Sequence, residues 1–233
     1  MRVCILEVDR PEGTFLKKHG TYSEMFRRWL KPTMPDAEFE ALDVAGGMAF
    51  PDSVRAYDGY LITGARVGVY DDDGWIAPLI AFLQRLRSEK RPLAGICFGH
   101  QVMAQAFGGE ARKAECGWVL GRMQQTLTVP GKRIFGADPL WQMSMHQDQV
   151  IVPPPMARRL AGNHLSPNGA FLYTDFPGIS VQFHPEFDAS VMTDLLADAC
   201  FSSEQAAVAR AGLEGALDSD RVARAIAGLL RAS

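Results

Sequence analysis

The chain has 233 residues, of which 47% are apolar, so it is long enough to bury a sizeable core. Its 24 Lys and Arg residues and 27 Asp and Glu residues give a formal net charge of −3. This balance provides no basic surface for nucleic acid or for an anionic membrane, and we expect neither partner. No stretch rich in proline and glycine is long enough to form a linker. We therefore predict a single domain over residues 1–233, with residues 201–233 as a C-terminal helical tail packed on it.

The four cysteines lie at positions 4, 97, 116 and 200 and form no Cys-x-x-Cys pair. Disulfide frameworks are typical of small secreted domains, and thiolate zinc sites need close cysteine pairs, so we expect free thiols in a reducing compartment. The N-terminus lacks the apolar stretch of a signal peptide, and the longest apolar run, residues 75–83, has about half the length of a membrane helix. We therefore expect a cytoplasmic protein.

Short apolar runs of β character alternate with amphipathic stretches along the chain. The predicted strands are residues 2–8, 38–44, 59–63, 92–96, 125–129, 171–174 and 179–183. This alternation favours the α/β class, with a mostly parallel sheet and helices on both faces.

Apolar residues recur at helical spacing from Ile76 to Leu86. Asp71, Asp72 and Asp73 precede this stretch, where an aspartate can cap the first turn and interact favourably with the helix dipole. A calcium loop is the alternative, but the run lacks the alternating ligands and the distal glutamate of such a loop. We therefore predict that an aspartate caps this helix.

A second helix is predicted at residues 99–107, with Gly108 and Gly109 ending it. The last thirty or so residues have the pattern of two amphipathic helices separated near residues 218–220. Their stripe of Ala, Leu and Val side chains is expected to pack on the rest of the domain, and an interface with another protein is the alternative.

The end of the predicted strand 92–96 carries Gly95-Ile96-Cys97-Phe98-Gly99, a G-x-C-x-G sequence at a strand-to-helix turn. This is the spacing of a nucleophile elbow, with cysteine in place of serine. The glycines allow close backbone approach at a strained turn, and a helix N-terminus stabilises negative charge on a nucleophile. A buried structural cysteine is the alternative for an isolated residue. The flanking glycines favour a nucleophile at Cys97.

A thiol nucleophile requires a general base, and the base requires a group that orients it. The predicted strand 179–183 ends in His184-Pro185-Glu186, and side chains two residues apart in extended chain share a face. Pro185 holds His184 extended, so the pair is preset for an imidazole–carboxylate hydrogen bond. A surface histidine and glutamate is the alternative. Cys97 also follows the carboxyl end of a predicted strand. Because ligands bind at the carboxyl edge of open parallel sheets, we expect Cys97, His184 and Glu186 to belong to one site.

Residues 94–101, Ala-Gly-Ile-Cys-Phe-Gly-His-Gln, and 181–187, Val-Gln-Phe-His-Pro-Glu-Phe, resemble the two signature segments of class-I, triad-type glutamine amidotransferases. Amidotransferase domains similar to that of GMP synthase are the nearest in pattern. Residues 141–150 resemble a third family segment, the H-G-D loop. The resemblance, which runs from about residue 59 to residue 187, implies a flavodoxin-like sheet and a catalytic triad of Cys97, His184 and Glu186.

The resemblance also implies an oxyanion hole. Its donors would be the backbone N–H of Phe98 and those of the loop at Gly64 and Ala65, where many relatives have Ser-Gly-Gly-Pro. Ala65 and Arg66 replace the second glycine and the proline in this chain, and alanine retains the N–H donor. His100 is not a triad member in the family, and we predict a structural role for it.

Substrate-binding positions are implied as well. Gln101 matches a glutamine that contacts the amino-acid end of the substrate in relatives, and the loop of Met145, His146, Gln147 and Asp148 matches another part of that pocket. Met145 stands where relatives often have Ser or Asn, and Gln147 where they often have Gly, which argues against a strict preference for free glutamine. His146 and Asp148 are either pocket residues or partners in a local hydrogen bond that stabilises the loop.

The resemblance therefore implies a cysteine-dependent glutamine amidotransferase or glutaminase that hydrolyses the γ-amide of glutamine through a γ-glutamyl thioester. Glutamine or another γ-glutamyl compound is the expected substrate, and neither a metal nor an organic cofactor is expected. The sequence contains no S-G-G-x-D-S-type pyrophosphate loop, so a separate synthetase is expected to accept the ammonia. The alternatives are a stand-alone γ-glutamyl amide or peptide hydrolase with the same triad, and a non-catalytic binding or regulatory homologue.

Overall fold

The computed structural model describes residues 1–197 and 201–231, in which the chain forms eleven strands and eight helices. The strands are β1 (Arg2–Glu7), β2 (Glu38–Asp43), β3 (Gly59–Ile62), β4 (Leu93–Ile96), β5 (Glu110–Lys113), β6 (Val119–Leu127), β7 (Leu140–His146), β8 (Asp148–Val152), β9 (Ala157–Gly162), β10 (Ala170–Tyr173) and β11 (Gly178–Val181). The helices are α1 (Gly13–His19), α2 (Tyr22–Leu30), α3 (Ile76–Ser88), α4 (Phe98–Ala106), α5 (Val129–Phe135), α6 (Ala189–Leu195), α7 (Ser203–Ala211) and α8 (Ser219–Arg231).

Nine of the described strands form one sheet in the order β2-β1-β3-β4-β11-β10-β9-β6-β7. The first five are parallel and follow the 2-1-3-4-5 order of flavodoxin-like folds, with β11 as the fifth strand. The other four continue the sheet in antiparallel pairs, and β5 and β8 form a separate two-stranded sheet. The predicted α/β fold is confirmed, with an antiparallel extension that the sequence did not indicate.

The parallel strands bring three chain segments to one edge of the sheet. Ile62 of β3 pairs with Gly95 of β4, and Val181 of β11 pairs with Ile96 of β4. The backbone N–H of Cys97 extends this register, because it donates to the carbonyl oxygen of Val181 at 2.9 Å. The residues that follow β3, β4 and β11 therefore lie side by side at the carboxyl edge, where such sheets bind ligands.

Helices cover both faces of the parallel strands, as predicted. Helices α3 and α4 pack on one face, in a core that includes Leu6 and Phe82. Helices α2 and α8 pack on the other face, in a core that includes Val3, Phe26 and Ile226. Because side chains alternate along β1, neighbouring residues of this strand enter opposite cores.

Six of the predicted strands agree with observed strands to within two residues, while residues 125–129 fall at the end of the longer β6. The sequence did not predict β5, β7, β8, β9, α1, α2, α5 or α6. The interpretation of residues 141–150 as a loop is wrong, since they form most of β7 and β8, which meet at Gln147. Strand β7 pairs with β6, and its apolar and polar residues alternate from Trp141 to His146, which is a strand pattern that the interpretation as a loop overlooked.

The predicted aspartate cap of α3 is also wrong. This helix begins after Trp75, and no side chain in the described part of the chain caps it. Asp71 instead accepts a hydrogen bond from the backbone N–H of Gly68 at 2.8 Å, and the carbonyl oxygen of Asp73 accepts one from the N–H of Ile76. The aspartates therefore shape the turn before the helix, which starts too late for their side chains to reach its free N–H groups.

The predicted helix 99–107 is α4, and Gly108, with a φ of +92°, follows its end as expected. The two predicted C-terminal helices are α7 and α8, and α8 buries Val222, Ile226 and Leu230 against the core that α2 lines. Cys200 lies outside the described residues. None of the helices within residues 1–197 and 201–231 combines the length and the apolar character needed to cross a bilayer.

Candidate active site

Cys97 occupies the turn between β4 and α4. It is the N-cap residue of α4, and its φ of 52° and ψ of −103° are strained for a residue other than glycine. A Cβ atom on Gly95 would lie 2.5 Å from the carbonyl oxygen of Gly99, and one on Gly99 would lie 2.7 Å from that of Ile62. Both glycines are therefore required sterically, and the turn has the strained backbone that the G-x-C-x-G spacing predicts.

The sulfur of Cys97 lies in a polar setting although the residue is only 5% exposed. Gln182 donates to it from Nε2 at 3.8 Å, and Gln101 donates from its own Nε2 to Gln182 Oε1 at 3.3 Å. The same Gln101 nitrogen donates to the carbonyl oxygen of Asp148 at 2.9 Å. A chain of side-chain amides thus connects the sulfur to the predicted substrate pocket. No local sequence signal had marked Gln182 as a member of the site.

His184 and Glu186 form the buried hydrogen bond that their spacing predicts. His184 Nδ1 lies 2.7 Å from Glu186 Oε1, and both side chains are almost completely buried. Burial alone would lower the pKa of His184, but the negative charges of Cys97 and Glu186, and hydrogen bonds to both, raise it to about 10. Phe187 stacks on the imidazole with ring centroids 4.2 Å apart. The ring is therefore held in position and favoured as an imidazolium that can donate a proton.

A cleft of about 330 Å³ joins these residues, a volume within the range of small-molecule sites. The predicted site residues that line it are Cys97, His184, Glu186, Gly64, Ala65, Gln101, Met145, His146, Gln147 and Asp148. Phe98 is the exception, because its side chain is fully buried beside Trp75. Only its backbone N–H was predicted to act, and as the first residue of α4 it belongs to the turn whose N–H groups have no partner within the helix.

Gly64 lies directly against the Cys97–His184 pair. A Cβ atom on Gly64 would lie 3.0 Å from His184 Cε1 and 3.6 Å from Cys97 Cβ. The loop after β3 therefore lies so close to Cys97 and His184 that it leaves little room for even one added carbon atom. This proximity is what an oxyanion loop requires.

His146 and Asp148 take part in both of the roles that the sequence left open. Each lines the cleft, and His146 Nδ1 donates to the backbone carbonyl oxygen of Asp148 at 3.2 Å. Burial and the neighbouring His184 lower the pKa of His146 to about 3, so its ring is neutral. The Asp148 carboxylate accepts a hydrogen bond from Tyr70, whose pKa burial and this bond raise to about 12.

Residues that the sequence reasoning missed complete the cleft. Phe187, Leu195, Phe201 and Trp118 form an apolar wall, in which the rings of Trp118 and Phe201 meet edge to face at 4.8 Å. The remaining members are mainly polar or small and include Tyr22, Arg66, Val67, Gly68, Tyr70, Asp71 and Lys113. No local sequence signal marks these positions, because they come from separate segments that only the fold brings together.

His100 has the structural role that we predicted. Its ring is fully buried, its Nε2 donates to the carbonyl oxygen of Asn168 at 2.9 Å, and its Nδ1 lies 2.8 Å from Ser180 Oγ. Burial lowers its pKa to about 4, so the ring is neutral and both of its nitrogens are satisfied. Among the described residues, no cluster of three or more His, Cys, Asp or Glu side chains is arranged to hold a metal ion.

Comparison with known proteins shows the family of the chain. The family described as glutamine amidotransferase class-I matches residues 49–202, and the chain belongs to that family. Gamma-glutamyl peptidase 5 of Arabidopsis thaliana is 28% identical over 206 residues, which cover 79% of this chain and 76% of the relative. The glutamine amidotransferase-like protein chyE of Penicillium rubens is 24% identical over 202 residues, which cover 84% of this chain and 82% of the relative.

The fold is shared with solved structures. The crystal structure of a glutamine amidotransferase from Thermotoga maritima matches with a TM-score of 0.74 and 18% identity, over 99% of this chain and 98% of that one. The predicted family resemblance is confirmed.

Proposed function

We propose that the chain is a cysteine-dependent amidohydrolase that cleaves the γ-amide bond of glutamine or of another γ-glutamyl compound. The observation that carries the proposal is the meeting, in one cleft, of a strained Cys97 and the hydrogen-bonded pair of His184 and Glu186. A nucleophile, a base and a group that orients the base form the minimal set for acyl transfer.

In the proposed first step, an electron pair of the Cys97 thiolate forms a bond to the γ-carbonyl carbon. The oxygen that becomes negative accepts hydrogen bonds from the backbone N–H groups of Phe98, Gly64 and Ala65. Each preorganised donor of this kind contributes about 3 to 4 kcal/mol to the transition state. His184 then gives its proton to the leaving nitrogen, the C–N bond breaks, and the amine departs.

In the second step, water attacks the γ-glutamyl thioester while His184 accepts one of its protons. The C–S bond breaks, glutamate is released, and the electron pair of that bond returns to the sulfur and restores the Cys97 thiolate. The raised pKa of His184 supports its role as the proton donor of the first step. Glu186 supports both steps, since its carboxylate fixes Nδ1–H and leaves Nε2 free for the reaction.

The apolar wall of Phe187, Leu195, Phe201 and Trp118 favours a second candidate substrate. Because His184 protonates the leaving nitrogen, we expect the leaving group to lie beside Phe187, whose ring stacks on the His184 imidazole. An apolar amine would bury apolar surface against this wall, which stabilises binding by roughly 25 cal/mol per Å². Ammonia has no apolar surface to bury. A stand-alone hydrolase of γ-glutamyl amides or peptides is therefore the second candidate, beside a glutaminase that delivers ammonia to a separate synthetase.

Glutamate release from glutamine and from γ-glutamyl amides of increasing amine size tests the proposal. We expect turnover of at least one substrate by the wild-type protein and its loss in Cys97→Ala. Cys116→Ala is the matched control, because Cys116 is an exposed free thiol outside the cleft. Turnover that survives in Cys97→Ala would refute the mechanism.

The same series separates the two candidate substrates. If apolar amides are preferred, Trp118→Ala should raise their KM about tenfold and leave the KM of glutamine nearly unchanged. Equal effects on every substrate would count against a leaving-group role for the wall and favour the glutaminase.

A further inference from the structure

The loop after β3 carries Gly64 and Ala65, which the proposed function uses as oxyanion donors. Gly64 has no side chain and Ala65 contributes only a methyl group at the edge of the core, so packing restrains this loop little. Thr63 fixes one end, because its backbone N–H donates to the carbonyl oxygen of Leu6 at 3.2 Å and its Oγ1 accepts from the N–H of Val8 at 3.1 Å. The other end needs a separate anchor.

Asp9, which follows β1, holds that other end. Arg66 donates from Nε to Asp9 Oδ2 and from Nη2 to Asp9 Oδ1, both at 2.9 Å, in a two-pronged pair. Its backbone N–H donates to Asp9 Oδ2 at 3.1 Å, and its Nη2 also reaches the carbonyl oxygen of Arg10 at 3.2 Å. The side chain of Asp9 is only 13% exposed, although that of Arg66 is 64% exposed.

These contacts differ from an ordinary surface ion pair. An exposed pair contributes little, because two long side chains lose conformational freedom to form it. Here one carboxylate binds the side chain and the backbone of the same residue, one position after Ala65, and the backbone N–H of Arg10 also donates to it at 2.8 Å. The arrangement restrains the main chain of the loop itself.

We propose that Asp9 and Arg66 are positioning residues that hold the Gly64 and Ala65 amides in place for the oxyanion. The proposal rests on the proposed function for its catalytic consequence, but the restraint of the loop does not. Neither residue touches the reacting atoms, and both act through the backbone between Thr63 and Arg66.

Amide hydrogen exchange tests the restraint independently of any activity. In Asp9→Asn and in Arg66→Gln, exchange at residues 63–66 should be at least about tenfold faster than in the wild type. The control is Arg55→Gln, which breaks the exposed ion pair of Arg55 with Glu89 outside the cleft. Unchanged exchange at residues 63–66 in both Asp9→Asn and Arg66→Gln would overturn the proposal.

Kinetics tests the catalytic consequence with the best γ-glutamyl substrate. Asp9→Asn and Arg66→Gln should each lower kcat about 10- to 100-fold, with KM within about threefold of the wild type. The double variant should be no worse than the poorer single variant, because the two residues act as one unit. A raised KM with an unchanged kcat in Arg66→Gln alone would overturn the proposal in favour of direct substrate binding by the guanidinium.

Alkylation of Cys97 by iodoacetamide separates loop position from thiol reactivity, since this reaction forms no oxyanion. The alkylation rate should be unchanged in Asp9→Asn and in Arg66→Gln. A fall in the alkylation rate that parallels the fall in kcat would overturn the proposal. A wild-type protein that turns over no γ-glutamyl substrate would refute the proposed function, while the exchange measurement would still decide whether Asp9 and Arg66 restrain the loop.

Discussion

Replacement of Glu186 by glutamine removes a charge from the site and keeps nearly the same shape. The carboxylate accepts a hydrogen bond from His184 Nδ1 at 2.7 Å, in a setting from which water is almost excluded. A hydrogen bond to a charged group contributes about 1.5 to 3 kcal/mol and a neutral one about 1 kcal/mol. The stabilisation of the protonated form of His184 should therefore fall by about 0.5 to 2 kcal/mol, which at 1.36 kcal/mol per unit corresponds to about one pKa unit.

An NMR titration of the His184 ring measures this change directly. The wild-type ring should stay protonated until the pH approaches about 10, and the Glu186→Gln ring should lose its proton at a pH about one unit lower. Because the amide can also turn its nitrogen toward Nδ1 and select the wrong tautomer, kcat should fall by at least about tenfold. Glu214→Gln, at an exposed position outside the cleft, is the control. An unchanged or raised pKa of His184 in Glu186→Gln would refute the reasoning.

Three glycine substitutions test the packing around the site. Gly64→Ala places a Cβ atom 3.0 Å from His184 Cε1, so we expect kcat to fall about 10- to 100-fold with little change in Tm; wild-type kcat would contradict this. Gly95→Ala places one 2.5 Å from the carbonyl oxygen of Gly99, and chemical denaturation should report a loss of about 1 to 3 kcal/mol, whereas wild-type stability would contradict the elbow packing. Gly228→Ala meets nothing within 4 Å in α8, and the same measurement should report a gain of up to about 1 kcal/mol; a loss would reveal an unrecognised contact.

Local motifs explain why the central part of the site could be predicted from the sequence. The G-x-C-x-G turn and the His-Pro-Glu segment each encode their own backbone geometry within a few residues. The rule that ligands bind at the carboxyl edge of parallel strands then brings Cys97 and His184 together, although 87 residues separate them. Neither step needs knowledge of side-chain packing.

The rest of the site depends on contacts that the sequence does not encode locally. Trp118 and Phe201 are separated by 83 residues and meet only in the folded chain. Asp9 and Arg66 are 57 residues apart and meet because β1 pairs with β3. The failed aspartate cap has the same origin, since the start of a helix depends on where tertiary packing begins as well as on the presence of a capping side chain.

In the proposed mechanism, Cys97 carries the acyl group of the substrate. Rapid acid quenching during turnover, followed by mass spectrometry of the peptide that contains residue 97, measures this directly. We expect a γ-glutamyl thioester on Cys97 in the wild type and in Cys116→Ala. Acyl transfer to any other residue would contradict this mechanism. Turnover with no acyl group on Cys97, even when the reaction is quenched before the first turnover is complete, would also contradict it.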